Sequence, residues 1–161
     1  MKHLKTVYAT EDDSIKAMNI DSVSKSLILA FRARYLSIFN SQETAYNKCK
    51  FVSYELLKAF QAQGLDSVKL VHIEDCKREF ERPHPKWQKE PFKEWTHYVL
   101  RIDKYYVDFT AKQFDESLPV PTIGLISELK RDWKIVEDDD FITSIATQFV
   151  NMESSNAAVN V

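Results

Sequence analysis

Apolar positions in this chain follow two periods, and the switches between them mark the elements. Over residues 21–39 they recur every three to four places, at Val23, Leu27, Ile28, Phe31, Tyr35, Leu36 and Phe39. That spacing predicts a helix with one buried stripe, capped by Asp21 or Ser22. A polar loop is expected over residues 40–46. A second helix is predicted over residues 48–63, with Asn47 as its N-cap and Gly64 as its stop signal. Residues 66–75 then alternate as a strand does, with Val68, Leu70 and His72 on one face and Lys69, Val71 and Ile73 on the other. Residues 76–91 are charged and hold three prolines, which predicts a loop. Residues 94–103 and 104–111 read as two strands joined by a tight turn at Asp103-Lys104. Another loop is expected over 116–124, a weak strand around Ile135 and Val136, and a last helix over 138–150 whose acidic start suits its positive end. The polar residues 1–19 and the tail from Asn151 are expected to be loose.

This order segregates helices from strands and includes an antiparallel hairpin. It predicts an α+β fold with helices on one side of a small sheet. Its 161 residues suit a single domain over 1–161 with its core at about 20–150. Apolar residues make up 44% of the chain and charged residues 29%, which predicts a globular protein. The net charge of −2, without a basic block, argues against nucleic acid as a partner. No apolar run is long enough to cross a bilayer, so no membrane partner is expected, and the first residues lack a secretory-type stretch. Two cysteines are too few for a disulfide framework. A reducing, cytoplasmic setting with free thiols is the expectation, and delivery into a host or target cell is compatible with it.

The candidate chemistry starts at Cys49. Cys49, Val52, Ser53, Leu56 and Phe60 share one helical stripe, which places the thiol in the first turn and toward the sheet. First-turn N–H groups are unpaired and carry partial positive charge, so they favour a thiolate and can hold an oxyanion beside it. In the hairpin, a loop centred between Asp103 and Lys104 pairs Val99 with Asp108 and His97 with Thr110. His97 and Asp108 then share a face as diagonal neighbours, roughly 7–8 Å apart at the backbone. A slip of one residue would send Asp108 to the other face. Cys49, His97 and Asp108 together would supply a nucleophile, a general acid/base and an orienting carboxylate. Taken singly, each has a plainer role: a small core residue, a hydrogen-bonded structural histidine, and a strand-ending turn residue. Trp95 could wall such a pocket or pack in the core, and Gln113 could lie on its rim or face solvent. His72 and Cys76, four apart, suggest a metal only weakly, because a structural zinc site takes four such ligands and only Cys49 and His84 remain nearby. No metal and no cofactor are expected.

A helix opening with Cys49, then "HYVLRI" on one strand and "YYVDFTAKQF" on the next, resembles the papain-like and transglutaminase-like superfamily of cysteine enzymes. The look is closest to bacterial or phage papain-like toxins and protein-glutamine deamidases. The resemblance spans residues 42–133. It implies a papain-like fold, with the cysteine helix packed on a small antiparallel sheet carrying histidine and aspartate. It also implies a Cys-His-Asp amide hydrolase working through a thioester on a protein substrate. A glutamine upstream of the cysteine completes the oxyanion hole in that superfamily; Gln42, seven residues before Cys49, and Asn47 are the candidates. The chain lacks the glycine-rich approach and the following tryptophan of papain peptidases, and its aspartate is one hairpin strand away. Glutamine deamidation is thus expected ahead of peptidase or transamidase activity. A non-enzymatic binding protein on the same scaffold is the alternative of a different class.

Overall fold

The computed structural model describes residues 8–9, 12–74, 76–77, 80–83, 85 and 96–135. The expected last helix at 138–150, the tail, His84 and Trp95 lie outside the described residues. The described part is α+β, as the element order predicts. β1 (Tyr8–Ala9), α1 (Asp12–Lys16), α2 (Ser22–Tyr35), α3 (Gln42–Ala45) and α4 (Cys49–Ala62) come first. β2 (Lys69–Glu74), β3 (Thr96–Ile102), β4 (Tyr105–Asp108), a 3-10 turn (Ala111–Gln113), β5 (Thr122–Leu125), α5 (Ile126–Asp132) and β6 (Lys134–Ile135) follow. The strands form one antiparallel sheet in the order β1-β5-β4-β3-β2-β6.

The helix ends follow from local chemistry. Asp21 caps α2, its carboxylate accepting from the Ser24 N–H and hydroxyl at 2.7 and 2.6 Å. Gly64 ends α4 at φ 76, a left-handed conformation that glycine adopts without strain. There Gly64 N–H reaches the Gln61 oxygen at 2.9 Å and Leu65 N–H the Phe60 oxygen at 3.1 Å, so orphan carbonyls are satisfied.

The sheet buries both faces, not one. Leu70, Leu100, Ile102, Val107 and Ile123 pack beneath α2 and α4, against Ile28, Tyr35, Leu56, Leu57 and Phe60. On the opposite face Val71, Ile73, Val99 and Tyr106 meet Phe114, Leu129 and Trp133. This second cluster draws Phe114, Leu129 and Trp133 from stretches to which the apolar periodicity assigns no element. Three further expectations give way. Residues 116–124 are not all loop, since β5 begins at Thr122 and α5 follows. The loop over 40–46 holds a short helix closed by a Ser41–Thr44 capping box. The start of the chain is not loose where described, because Ile15 and Met18 sit in the core.

The β3–β4 register is the predicted one. Ile102 pairs with Tyr105, Arg101 with Tyr106 and Leu100 with Val107, leaving Asp103 and Lys104 as a two-residue turn. Asp103 takes φ 54, which an aspartate tolerates without a glycine. Continuing that register places Asp108 opposite Val99, on the face that carries His97.

Candidate active site

The thiol is positioned by the start of α4. Cys49 is the first residue of that helix and only 8% exposed. Asn47 is not its N-cap: Lys48 holds that position and makes no side-chain capping bond. Asn47 instead turns the chain at φ 60, and its backbone N–H points to Gln113 Oε1 at 3.4 Å. One turn further along, Ser53 Oγ donates to the Tyr98 carbonyl at 3.1 Å and ties α4 to β3 beside His97. No cap side chain therefore occupies the first turn next to the sulfur.

His97 is held by its neighbours on every side. It is 1% exposed, with Phe114 edge-on at 4.6 Å and Trp133 tilted at 6.0 Å between ring centres. Its Nε2 lies 2.6 Å from Asp108 Oδ2. The other carboxylate oxygen accepts the Thr110 N–H at 2.9 Å and the Thr110 hydroxyl at 3.3 Å. The D-x-T spacing is thus turn chemistry and carboxylate orientation together. A cavity of ≈ 20 Å³, about the room of one water, flanks His97 and Asp108 between Phe80, Tyr106, Phe114 and Trp133.

Electrostatics couple sulfur to ring. Burial pushes the Cys49 thiol up. The His97 ring beside it, through charge and a side-chain hydrogen bond, and the Tyr98 backbone together outweigh that and bring it below the ordinary thiol value. Burial likewise works against a charged His97, yet Asp108 first and Cys49 second carry the ring up to about 10. A thiolate–imidazolium pair is the state these directions favour.

The other candidates sort by position. Gln113 is not on a rim: it is 3% exposed, with its Nε2 3.3 Å from Thr110 Oγ1 and 3.4 Å from His97 Nδ1. Gln42 is partly buried, and its Nε2 donates to the Arg82 carbonyl at 2.8 Å, fastening α3 to residues 80–83. The Asn47 side chain is exposed. Thr110, Phe114 and Asp115 are the residues that sequence reasoning missed. The buried Asp115 carboxylate accepts from the Glu81, Arg82 and Ser117 N–H groups and the Ser117 hydroxyl, clamping residues 81–82 to the loop that follows Asp108. Phe80 stacks on Phe114 at 5.8 Å, so this clamp also sets the aromatic packing against His97. The run "DFTAKQFDES" carried the signal for all three, as a tight succession of turn formers and aromatics.

Among the described residues no group of three or more His, Cys, Asp or Glu is arranged to hold a metal, and no helix is long and apolar enough to cross a membrane. No family model, curated protein or solved structure matches the chain.

Proposed function

We propose that this protein is a cysteine-dependent amide hydrolase with the papain-like arrangement of Cys49, His97 and Asp108, acting as a protein-glutamine deamidase. One arrangement carries the reading: the Cys49 thiol, at the uncapped start of α4, is drawn down by the charge of the neighbouring His97, whose Nε2 lies 2.6 Å from Asp108. The thiolate attacks the carboxamide carbon, and first-turn N–H groups receive the oxyanion. The imidazolium gives its Nδ1 proton to the departing nitrogen, the C–N bond breaks and ammonia leaves. Water then attacks the thioester while neutral His97 takes its proton. The C–S bond breaks, and thiolate and imidazolium are restored. Asp108 keeps the ring oriented and its charge favourable throughout.

Burial favours a side-chain amide over a main-chain one. A thiol 8% exposed beside a ring 1% exposed is reached by the slender end of a glutamine more readily than by a peptide bond with chain on both sides. The partner is then a protein that presents a glutamine side chain. The test is to incubate the protein with glutamine-bearing polypeptides and follow ammonia and the NH2-to-OH mass change. Both are expected with the wild type and absent with Cys49→Ala. New amino termini in place of ammonia would mean a peptidase. A Cys49 alkylation profile no different from that of a free thiol would mean a binding protein.

A further inference from the structure

Four hydrogen bonds form a circuit that begins and ends on the His97 ring. His97 Nε2 meets Asp108 Oδ2 at 2.6 Å, and Thr110 Oγ1 lies 3.3 Å from Asp108 Oδ1. Gln113 Nε2 lies 3.3 Å from Thr110 Oγ1 and 3.4 Å from His97 Nδ1. Chemistry fixes the directions. The carboxylate accepts, so the single Thr110 hydroxyl proton goes to it and the Thr110 oxygen must accept from Gln113. The Asn47 N–H can only donate, so it selects Oε1 of Gln113 and turns the amide nitrogen toward the ring. A donor facing Nδ1 matches the lone pair of a neutral imidazole. An imidazolium carries a proton there that the Gln113 donor cannot accept; on the reading of Cys49 as the nucleophile, that proton serves the sulfur whose charge acts on the ring. Nδ1 would then serve one partner in each protonation state.

We propose, resting on the reading of Cys49, His97 and Asp108 as a thiol amidase, that Gln113 is a positioning residue for thioester hydrolysis. Before acylation the Nδ1 proton belongs to the thiolate. Acylation sends that proton away with ammonia, forms the C–S bond and leaves a neutral ring facing a sulfur with no charge to offer. Gln113 then holds the ring through Nδ1 until water takes that place. The water oxygen attacks the thioester carbon, its proton passes to Nδ1, and the sulfur leaves as thiolate. Among the described residues, the titratable groups facing His97 are Asp108 from β4 and Cys49 from α4. β2 presents Ile73, Phe114 and Trp133 pack on the ring, and Phe80 and Tyr106 line the cavity beside it.

The test uses p-nitrophenyl acetate as acyl donor. The burst of p-nitrophenolate reports acylation of Cys49, and the steady rate reports hydrolysis of the acetyl thioester. In Gln113→Met the burst amplitude is expected to persist while the steady rate falls roughly tenfold, the equivalent of one neutral hydrogen bond. Acetylated protein should accumulate in intact-mass spectra. The pH midpoint of the steady rate should rise, because the lost donor had favoured the neutral ring. Gln113→Glu keeps an acceptor for Asn47 but presents an acceptor to Nδ1; it should stall the same step and serves if the methionine variant does not fold. Steady rates equal to wild type in a folded variant overturn the proposal, as does a parallel fall of burst and steady rate with an unmoved midpoint. Absence of a Cys49-dependent burst in the wild type itself is a different failure: it removes the nucleophile, and the proposal falls with it.

Discussion

Asp108→Asn tests whether one carboxylate on the hairpin sets the ionisation of a sulfur on a helix. The change preserves shape, and the amide oxygen can still accept from Nε2. Burial opposes charge on His97, and Asp108 leads the effects that raise the ring to about 10, ahead of Cys49. A rise from 6.5 to about 10 is a preference of roughly 5 kcal/mol for the charged ring. Since Asp108 leads those contributions, a sizeable part of that, on the order of a few kcal/mol, should vanish with the charge. A competing effect acts on the sulfur directly, because the Asp108 charge also repels the thiolate. It is the weakest of the influences on Cys49, whereas the His97 charge is the strongest of those that lower it. The indirect loss should therefore win, and the thiolate fraction at pH 7 should fall. The assay is the rate of iodoacetamide alkylation of Cys49 against pH, with Cys49→Ala separating out Cys76. The midpoint should climb to about 8.5 or above in Asp108→Asn. A profile superimposable on wild type, in a variant with an intact near-ultraviolet spectrum, would refute the coupling.

Three further outcomes are expected. His97 has a raised folded-state value, so its contribution to stability is complete below about pH 6.5 and is lost as pH rises through about 10. Thermal melts from pH 6 upward should show a difference between wild type and Asp108→Asn that shrinks on approaching pH ~10. Asp115→Ala removes the acceptor of four hydrogen bonds at a buried position and should destabilise by about 3 kcal/mol, with faster amide hydrogen exchange at Glu81, Arg82 and Ser117. In Gly124→Ala the new methyl would lie 2.7 Å from Tyr106 Cε1, so a loss of roughly 1–3 kcal/mol in denaturant melts is expected, and an unchanged melt would show that the ring yields freely.

The sequence was most informative where geometry is short-range. A two-residue turn leaves one register, so the shared face of His97 and Asp108 could be read from alternation alone. The Cys49 stripe was legible for the same reason, since helical periodicity needs no knowledge of the partner. Asn47 misled because its side chain suits a cap, while its tolerance of φ 60 suits a turn, and the contact of its N–H with Gln113 spans 66 positions. β5 escaped because its four residues follow two prolines and include Gly124, which is there for its close approach to Tyr106. The second core was invisible for a related reason. Phe114 and Trp133 lie in polar stretches without period, and only the tertiary fold brings them to the same sheet face. Gln113 could be placed near the aspartate by spacing, but its depth depends on the 3-10 turn at Ala111–Gln113.

The His97–Asp108 bond closes over 11 positions, within a hairpin of the kind that forms in roughly 1–10 μs. The sulfur comes from a helix that begins 48 positions before the ring, and it reaches the ring only when that helix has docked. During synthesis, then, the emerging polypeptide carries an ordinary thiol for as long as its tertiary structure is unfinished. The lowered thiol arrives only with the completed fold, so on the proposed reading an unfolded or half-built copy has no more than a common cysteine's tendency to attack its neighbours.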